Sequence, residues 1–120
     1  MADQVVWFDV PVLDLDRAIK FYSAVFGGKV SKQDYPGMSI GVLPHEGADV
    51  GGCLVVSDTL KPSDQGPLLY FNAQGRLDDA VSQVEKNGGK VLQAKHSIGP
   101  YGFRALVLDS EGNRIALHST

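Results

Sequence analysis

Twice along the chain the spacing of apolar positions shifts from two residues to 3.6 and back again. From Val5 to Val12 the side chains of Val6, Phe8, Val10 and Val12 alternate with Trp7, Asp9 and Pro11, the pattern of a strand with one buried face. From Asp14 the period lengthens. Leu15, Ala18, Ile19, Tyr22, Val25 and Phe26 gather on one face of a helix. Asp14 is placed to cap its first turn, and Asp16 adds negative charge at the positive end of its dipole. Gly27 suits the left-handed residue that ends a helix. Lys29 to Tyr35 then reads as a short polar strand, and Pro36-Gly37 as a turn into a strand over Met38 to Leu43. After a break at Pro44 to Gly47, Val50 to Val56 resumes as a strand whose Gly51 and Gly52 mark a bulge or a close backbone approach.

The second half repeats the plan. Leu68 to Asn72 is a strand, and Leu77, Ala80, Val81 and Val84 predict a helix over Arg76 to Asn87. Lys90 to Ala94 is the next strand, Ser97 to Gly102 a loop, and Phe103 to Leu108 another strand. The turn Asp109-Ser110-Glu111-Gly112 leads into a last strand over Arg114 to His118, with Ile115 and Leu117 on one face. The tetrapeptide GGKV closes both helices, at Gly27 to Val30 and at Gly88 to Val91. Gly-Gly-Lys suits any helix-to-strand junction, but its matching place after similar helices favours two copies of one module. The expected organisation is a single domain over 1–120, with module one at 4–57, a Pro- and Gly-bearing linker at 58–67 and module two at 68–119.

Composition narrows the class. A net charge of −3 and the lack of a basic run speak against nucleic-acid binding. No apolar run is long enough for a membrane span, and the N-terminus has no signal-peptide pattern. The single cysteine, Cys53, excludes an internal disulfide. A cytoplasmic protein is expected.

Two motifs within this βαβββ repeat resemble a known family. Asp14, Leu15, Ala18, Phe21 and Tyr22 match a first-helix pattern D-L-x-x-[AS]-x-x-F-Y. Asp109, Glu111, Gly112 and Asn113 match a last-hairpin pattern D-P-[DE]-G-N, with Ser110 in place of proline. Together they resemble the vicinal oxygen chelate superfamily, which includes glyoxalase I, bleomycin-resistance proteins and extradiol dioxygenases. The resemblance implies an α+β fold in which two βαβββ modules form a cupped mixed sheet. It also implies a ligand on the concave face and, in the enzymes, a divalent metal held by His and Glu. The implied metal positions fall on Trp7, on Ala116, on Pro67 or Leu69 according to register, and near Gly51 to Leu54, where only Cys53 can donate. No metal and no cofactor are therefore expected.

Trp7 and Asp9 share the outward face of the opening strand, and with Phe71 they are candidates to line the cup. His118 shares a strand face with Ala116, whereas His45 and His96 read as surface residues. Tyr101, Phe103 and Arg104 follow the Gly99-Pro100 loop, and Arg104 suits an anionic ligand. The expected ligand-binding set is thus Trp7, Asp9, Phe71, Tyr101, Phe103, Arg104 and His118. These residues point to a protein that holds a planar or aromatic small molecule without a metal, as a homodimer. The alternatives are a metal-dependent lyase, isomerase or dioxygenase related to glyoxalase I, and a metal-free enzyme using Asp9 or His118 as base.

Overall fold

The computed structural model describes residues 3–120 and folds each half of the chain as strand, helix and three strands. Module one comprises β1 (Trp7–Pro11), α1 (Leu15–Phe26), β2 (Ser31–Tyr35), β3 (Met38–Val42) and β4 (Gly51–Val55). Module two comprises β5 (Tyr70–Asn72), α2 (Leu77–Val84) with a 3-10 turn at Glu85–Asn87, β6 (Lys90–Ser97), β7 (Phe103–Leu108) and β8 (Arg114–Ser119). The first sheet has the order β1-β4-β3-β2 and the second the order β5-β8-β7-β6. β1 runs parallel to β4, and β5 runs parallel to β8. The α+β class stands, but the strands form two separate four-stranded sheets rather than one continuous sheet.

The expected first strand is shortened. β4 begins at Gly51, which pairs with Trp7, so Val5 and Val6 have no partner strand and Val6 lies exposed. Gly51 and Gly52 mark a close approach, not a bulge, because the register across them is regular. A Cβ on Gly52 would lie 2.4 Å from the Phe8 ring. β6 runs past the expected Ala94 to Ser97, with two register irregularities along its pairing to β7.

α1 forms as its spacing predicts. The Asp14 carboxylate accepts the Arg17 amide at 3.0 Å, and Ala18, Phe21, Tyr22 and Val25 turn inward. One apolar cluster joins Val10, Val12, Phe21, Tyr22, Val25 and Leu54 to Phe71, Leu77, Val84, Val107, Ile115 and Leu117 of module two. Burial of each large side chain contributes about 1.5–3 kcal/mol, so the shared cluster binds the two halves into one core. The GGKV repeats are alike for only partly shared reasons. Gly27 and Gly88 both take positive φ, 68° and 94°. Gly89 is confined by backbone, since a Cβ there would meet the Leu108 carbonyl at 2.5 Å, whereas one on Gly27 would meet the Arg76 side chain at 2.9 Å.

The turn between β7 and β8 fastens module two to α1. Asp109 is buried, and its carboxylate accepts bonds from the Tyr22 hydroxyl (2.6 Å), the Glu111 and Asn113 amides and the Asn113 side chain. The Asn113 side chain also donates to the Pro11 carbonyl and accepts the Ser63 amide. Glu111 reaches the start of α1, where it accepts the Leu13 and Asp14 amides at 2.9 Å each and pairs with Arg17 at 2.8 Å. A carboxylate there meets both the free amides and the positive end of the helix dipole. At the other end the Arg76 guanidinium donates to the Val25 carbonyl at 2.6 Å. Module two therefore closes both ends of α1.

Burial raises the Glu111 pKa, but Arg17, the Asp14 amide, the Ser110 hydroxyl and the Leu13 amide together outweigh it and bring the value to about 2. The folded value lies below the ordinary 4.5, so this carboxylate stabilises the fold above about pH 4.5 and loses that effect as pH falls towards 2. With Arg17 half exposed, solvent screening leaves a contribution of roughly 2 kcal/mol. Urea unfolding should show Glu111→Gln less stable than the parent by about that amount at neutral pH, with the gap narrowing below about pH 4. A gap that stayed constant with pH would show that the charge plays no part.

Candidate functional site

Strand alternation gives each sheet a face toward the helices and a face away from them. Phe8 and Val10 of β1, and Phe71, Ile115 and Leu117 of β5 and β8, pack on the helical side. The opposite faces carry the candidate chemistry. Trp7 stands beside Gly51 and Asp9 beside Cys53 in the first sheet, while Tyr70 stands beside Ala116 and Asn72 beside His118 in the second. These two registers superimpose one module on the other and make Tyr70 the counterpart of Trp7. The expected donor position at Pro67 or Leu69 is corrected accordingly: Pro67 precedes β5, and Leu69 packs against the core.

On the first sheet the indole Nε1 of Trp7 donates to Asp9 Oδ1 at 3.1 Å, and the Cys53 thiol donates to the same oxygen at 3.3 Å. The absence of a Cβ on Gly51 lets Trp7 and His45 lie across β4, where their rings meet edge to face with centroids 6.3 Å apart. Burial pushes the Cys53 thiol up to about 11, and the hydrogen bond and charge of Asp9 add to the shift. Cys53 is thus a protonated donor to Asp9, not a nucleophile at neutral pH.

On the second sheet Tyr70, Ile98, Tyr101, Arg104 and His118 surround a cavity of about 490 Å³. Arg104 and His118 are cross-strand neighbours on β7 and β8. The Arg104 guanidinium lies 5.8 Å from the Tyr70 ring centroid, donates through Nη1 to the Tyr70 hydroxyl and donates through Nε to His96 Nε2 at 3.0 Å. The His118 ring meets that of Tyr70 at 6.2 Å, and its Nε2 bonds the Tyr101 carbonyl at 2.6 Å. The loop, two strands of the hairpin and β5 therefore converge on one cavity.

The expected ligand-binding residues separate into four places. Tyr101, Arg104 and His118 come together. Trp7 and Asp9 belong to the other sheet and do not line that cavity. Phe71, expected to line the cup, is 8% exposed, with its ring against Phe8, Tyr22 and Phe26, and it borders a separate hollow of about 600 Å³ shared with Gly52, Tyr70 and Asn72. Phe103, adjacent to Arg104 in an extended strand, points to the opposite face and lies beneath Lys95. Tyr70 and His96 belong to the site but were not among the expected residues. The signal for Tyr70 was the repeat itself, which sets it opposite Trp7.

The metal implied by the family resemblance finds no suitable donors. Trp7, Tyr70 and Ala116 cannot ligate a divalent ion as neutral side chains, and Asp9 with Cys53 makes only a pair, already joined by a hydrogen bond. Among the described residues no three His, Cys, Asp or Glu side chains converge.

The Cys53 environment has a direct chemical consequence. Alkylation of the folded protein by iodoacetamide should be slower than that of the urea-unfolded chain by about a hundredfold at pH 8, and its rate should still be climbing past about pH 10. A rate that levels off by about pH 10, as for an ordinary thiol, would mean that neither burial nor Asp9 restrains Cys53.

The Glyoxalase/Bleomycin resistance protein/Dioxygenase superfamily pattern matches residues 4–117. A glyoxylase-like domain-containing protein of Didymella fabae is 32% identical over 126 aligned positions, covering 95% of this chain and 91% of that protein. A glyoxalase/bleomycin resistance protein from Albidiferax ferrireducens T118 superimposes with a TM-score of 0.78 at 20% identity, covering 98% of this chain and 99% of the other. One from Streptomyces sp. CB03234 gives 0.69 at 27% identity, covering 96% and 99%. The genomically encoded fosfomycin resistance protein FosX from Listeria monocytogenes gives 0.71 at 15% identity, covering 100% and 95%. With its two βαβββ modules and a match along nearly its whole length, this chain belongs to the glyoxalase/bleomycin resistance protein/dioxygenase superfamily.

Proposed function

We propose that the chain is a small-molecule-binding member of its superfamily, holding a planar ligand on the second sheet without a metal. The cavity of about 490 Å³ carries this reading, because Tyr70, Tyr101 and His118 offer it ring faces and edges while Arg104 supplies a polar anchor. Its volume falls within the range of about 300–1,000 Å³ usual for small-molecule pockets. The names of the bleomycin and fosfomycin resistance neighbours refer to small-molecule drugs and support a ligand of that size. Metal-assisted lyase, isomerase or dioxygenase chemistry is less well supported, since the outward residues at the implied ligand positions do not donate. Asp9 is a weak candidate base because one of its oxygens already accepts two hydrogen bonds. The lone cysteine supports a reducing compartment, for which the cytoplasm is the proposed location. No helix among the described residues is long and apolar enough to cross a membrane.

A homodimer belongs to the same proposal. Trp7 and Tyr70 are 45% and 49% exposed on the outward sheet faces and Tyr101 is 74% exposed in the loop beside them, which are surfaces a second copy could cover. Sedimentation equilibrium at micromolar concentration should give twice the chain mass of 12.9 kDa, and a single species of one chain mass would remove the dimer.

The binding reading is tested with a thermal-shift screen of planar metabolites, followed by titration of a hit. Tyr70→Ala and His118→Ala should each weaken binding by about 0.5–1.5 kcal/mol plus the lost burial, and binding should persist in chelator. If both variants fold and bind as tightly as the parent, the ligand lies elsewhere. Binding that disappears with chelator would return the protein to the metal-dependent class.

A further inference from the structure

Arg104 is held in place from two sides and left electrically unanswered. Of its five N–H groups, Nε is taken by His96 and one on Nη1 by Tyr70, so three remain without a partner among the described residues. Ion pairs engage Arg17, Lys32, Arg76 and Lys95 but not Arg104, and no carboxylate lines the cavity. The histidine that holds it is constrained in turn. Because Arg104 donates to His96 Nε2, that nitrogen presents its lone pair, and the ring proton sits on Nδ1, donated to the Ala94 carbonyl at 2.9 Å. A neutral His96 therefore positions the guanidinium without offsetting its charge.

Tyr70 completes the arrangement. Its oxygen accepts from Arg104, so its own proton remains free to donate. The two residues together offer fork N–H groups and an O–H beside the rings of Tyr70, Tyr101 and His118. Donors fixed in advance lose little freedom on binding, and a guanidinium matches the geometry of a carboxylate or phosphate better than an ammonium does.

Resting on the binding reading above, we propose that the ligand is an organic anion: a planar ring system whose carboxylate or phosphate is held by Arg104 and Tyr70 while the rings pack against Tyr101 and His118. The first sheet has no equivalent, since Trp7 stands in the place of Tyr70 and the nearby Asp9 would repel an anion.

Calorimetric titration of the full chain with 2-naphthoate, 2-naphthyl phosphate and neutral 2-naphthamide tests the proposal. At least one of the anions should bind about tenfold or more tightly than the amide, and the advantage should shrink as salt rises from about 50 to 300 mM. Preference for the carboxylate or for the phosphate identifies which oxyanion the fork takes. Arg104→Gln should abolish the preference, and Tyr70→Phe, which keeps the ring, should reduce it. Equal binding of amide and anions by the parent, or a preference that survives in Arg104→Gln, would overturn the anion proposal and leave the planar-ligand reading intact. Failure of all three probes to bind at millimolar concentration would count against both.

Discussion

A single buried carboxylate, that of Glu111, does more than any other group to decide how the two halves of this protein meet. It lies in a turn whose own shape is set by Asp109, and it reaches across to the exposed amides at the start of α1. α1 has twelve residues, a length at which an isolated helix is marginal in water. Negative charge from Glu111 at one end and positive charge from Arg76 at the other complement its dipole in both directions. The apolar cluster supplies most of the stabilisation, while these charged contacts select one orientation of the modules from the many that oily surfaces alone would tolerate.

The same turn reaches the outward face of the second sheet. It joins β7 to β8, and the register of that hairpin sets Arg104 beside His118. The modules' symmetry then explains why the outward face of the second sheet carries an accessible guanidinium where the first carries none. Both modules put an aromatic residue in the first strand and a small residue opposite it: Trp7 with Gly51, Tyr70 with Ala116. Tyr70 has a hydroxyl to engage Arg104, whereas Trp7 turns its only donor onto Asp9. From equivalent backbones, one face has closed on itself and the other has kept its donors available.

The architecture was largely legible in the chain, and the site only in part. α1 announced itself through Asp14, its apolar spacing and Gly27, because caps and periodicity are local properties. The Asp109 to Asn113 motif could be recognised, but its physical role was not readable, since Glu111 meets residues nearly a hundred positions away. His96 was hidden because β6 is irregular: two register shifts and a run of polar residues erase the alternation that would have extended the strand past Ala94. Phe103 and Arg104 were grouped by their shared loop, although a period of two places neighbours on opposite faces. Phe71 belongs to both settings, since it packs into the core cluster and also borders a hollow beside Gly52 and Asn72.

The capping of α1 by the other module also bears on the order in which the chain is made. A ribosome delivers the first βαβββ unit while Arg76 and Glu111 are still unsynthesised, so α1 emerges with only its local caps, Asp14 and Gly27, and with its apolar face uncovered by Val107, Ile115 and Leu117. At the start of α2 the N-cap residue Arg76 makes no side-chain capping bond. Dependence therefore runs backward along the chain. The N-terminal half gains these cross-module contacts only when nearly the whole chain has been translated.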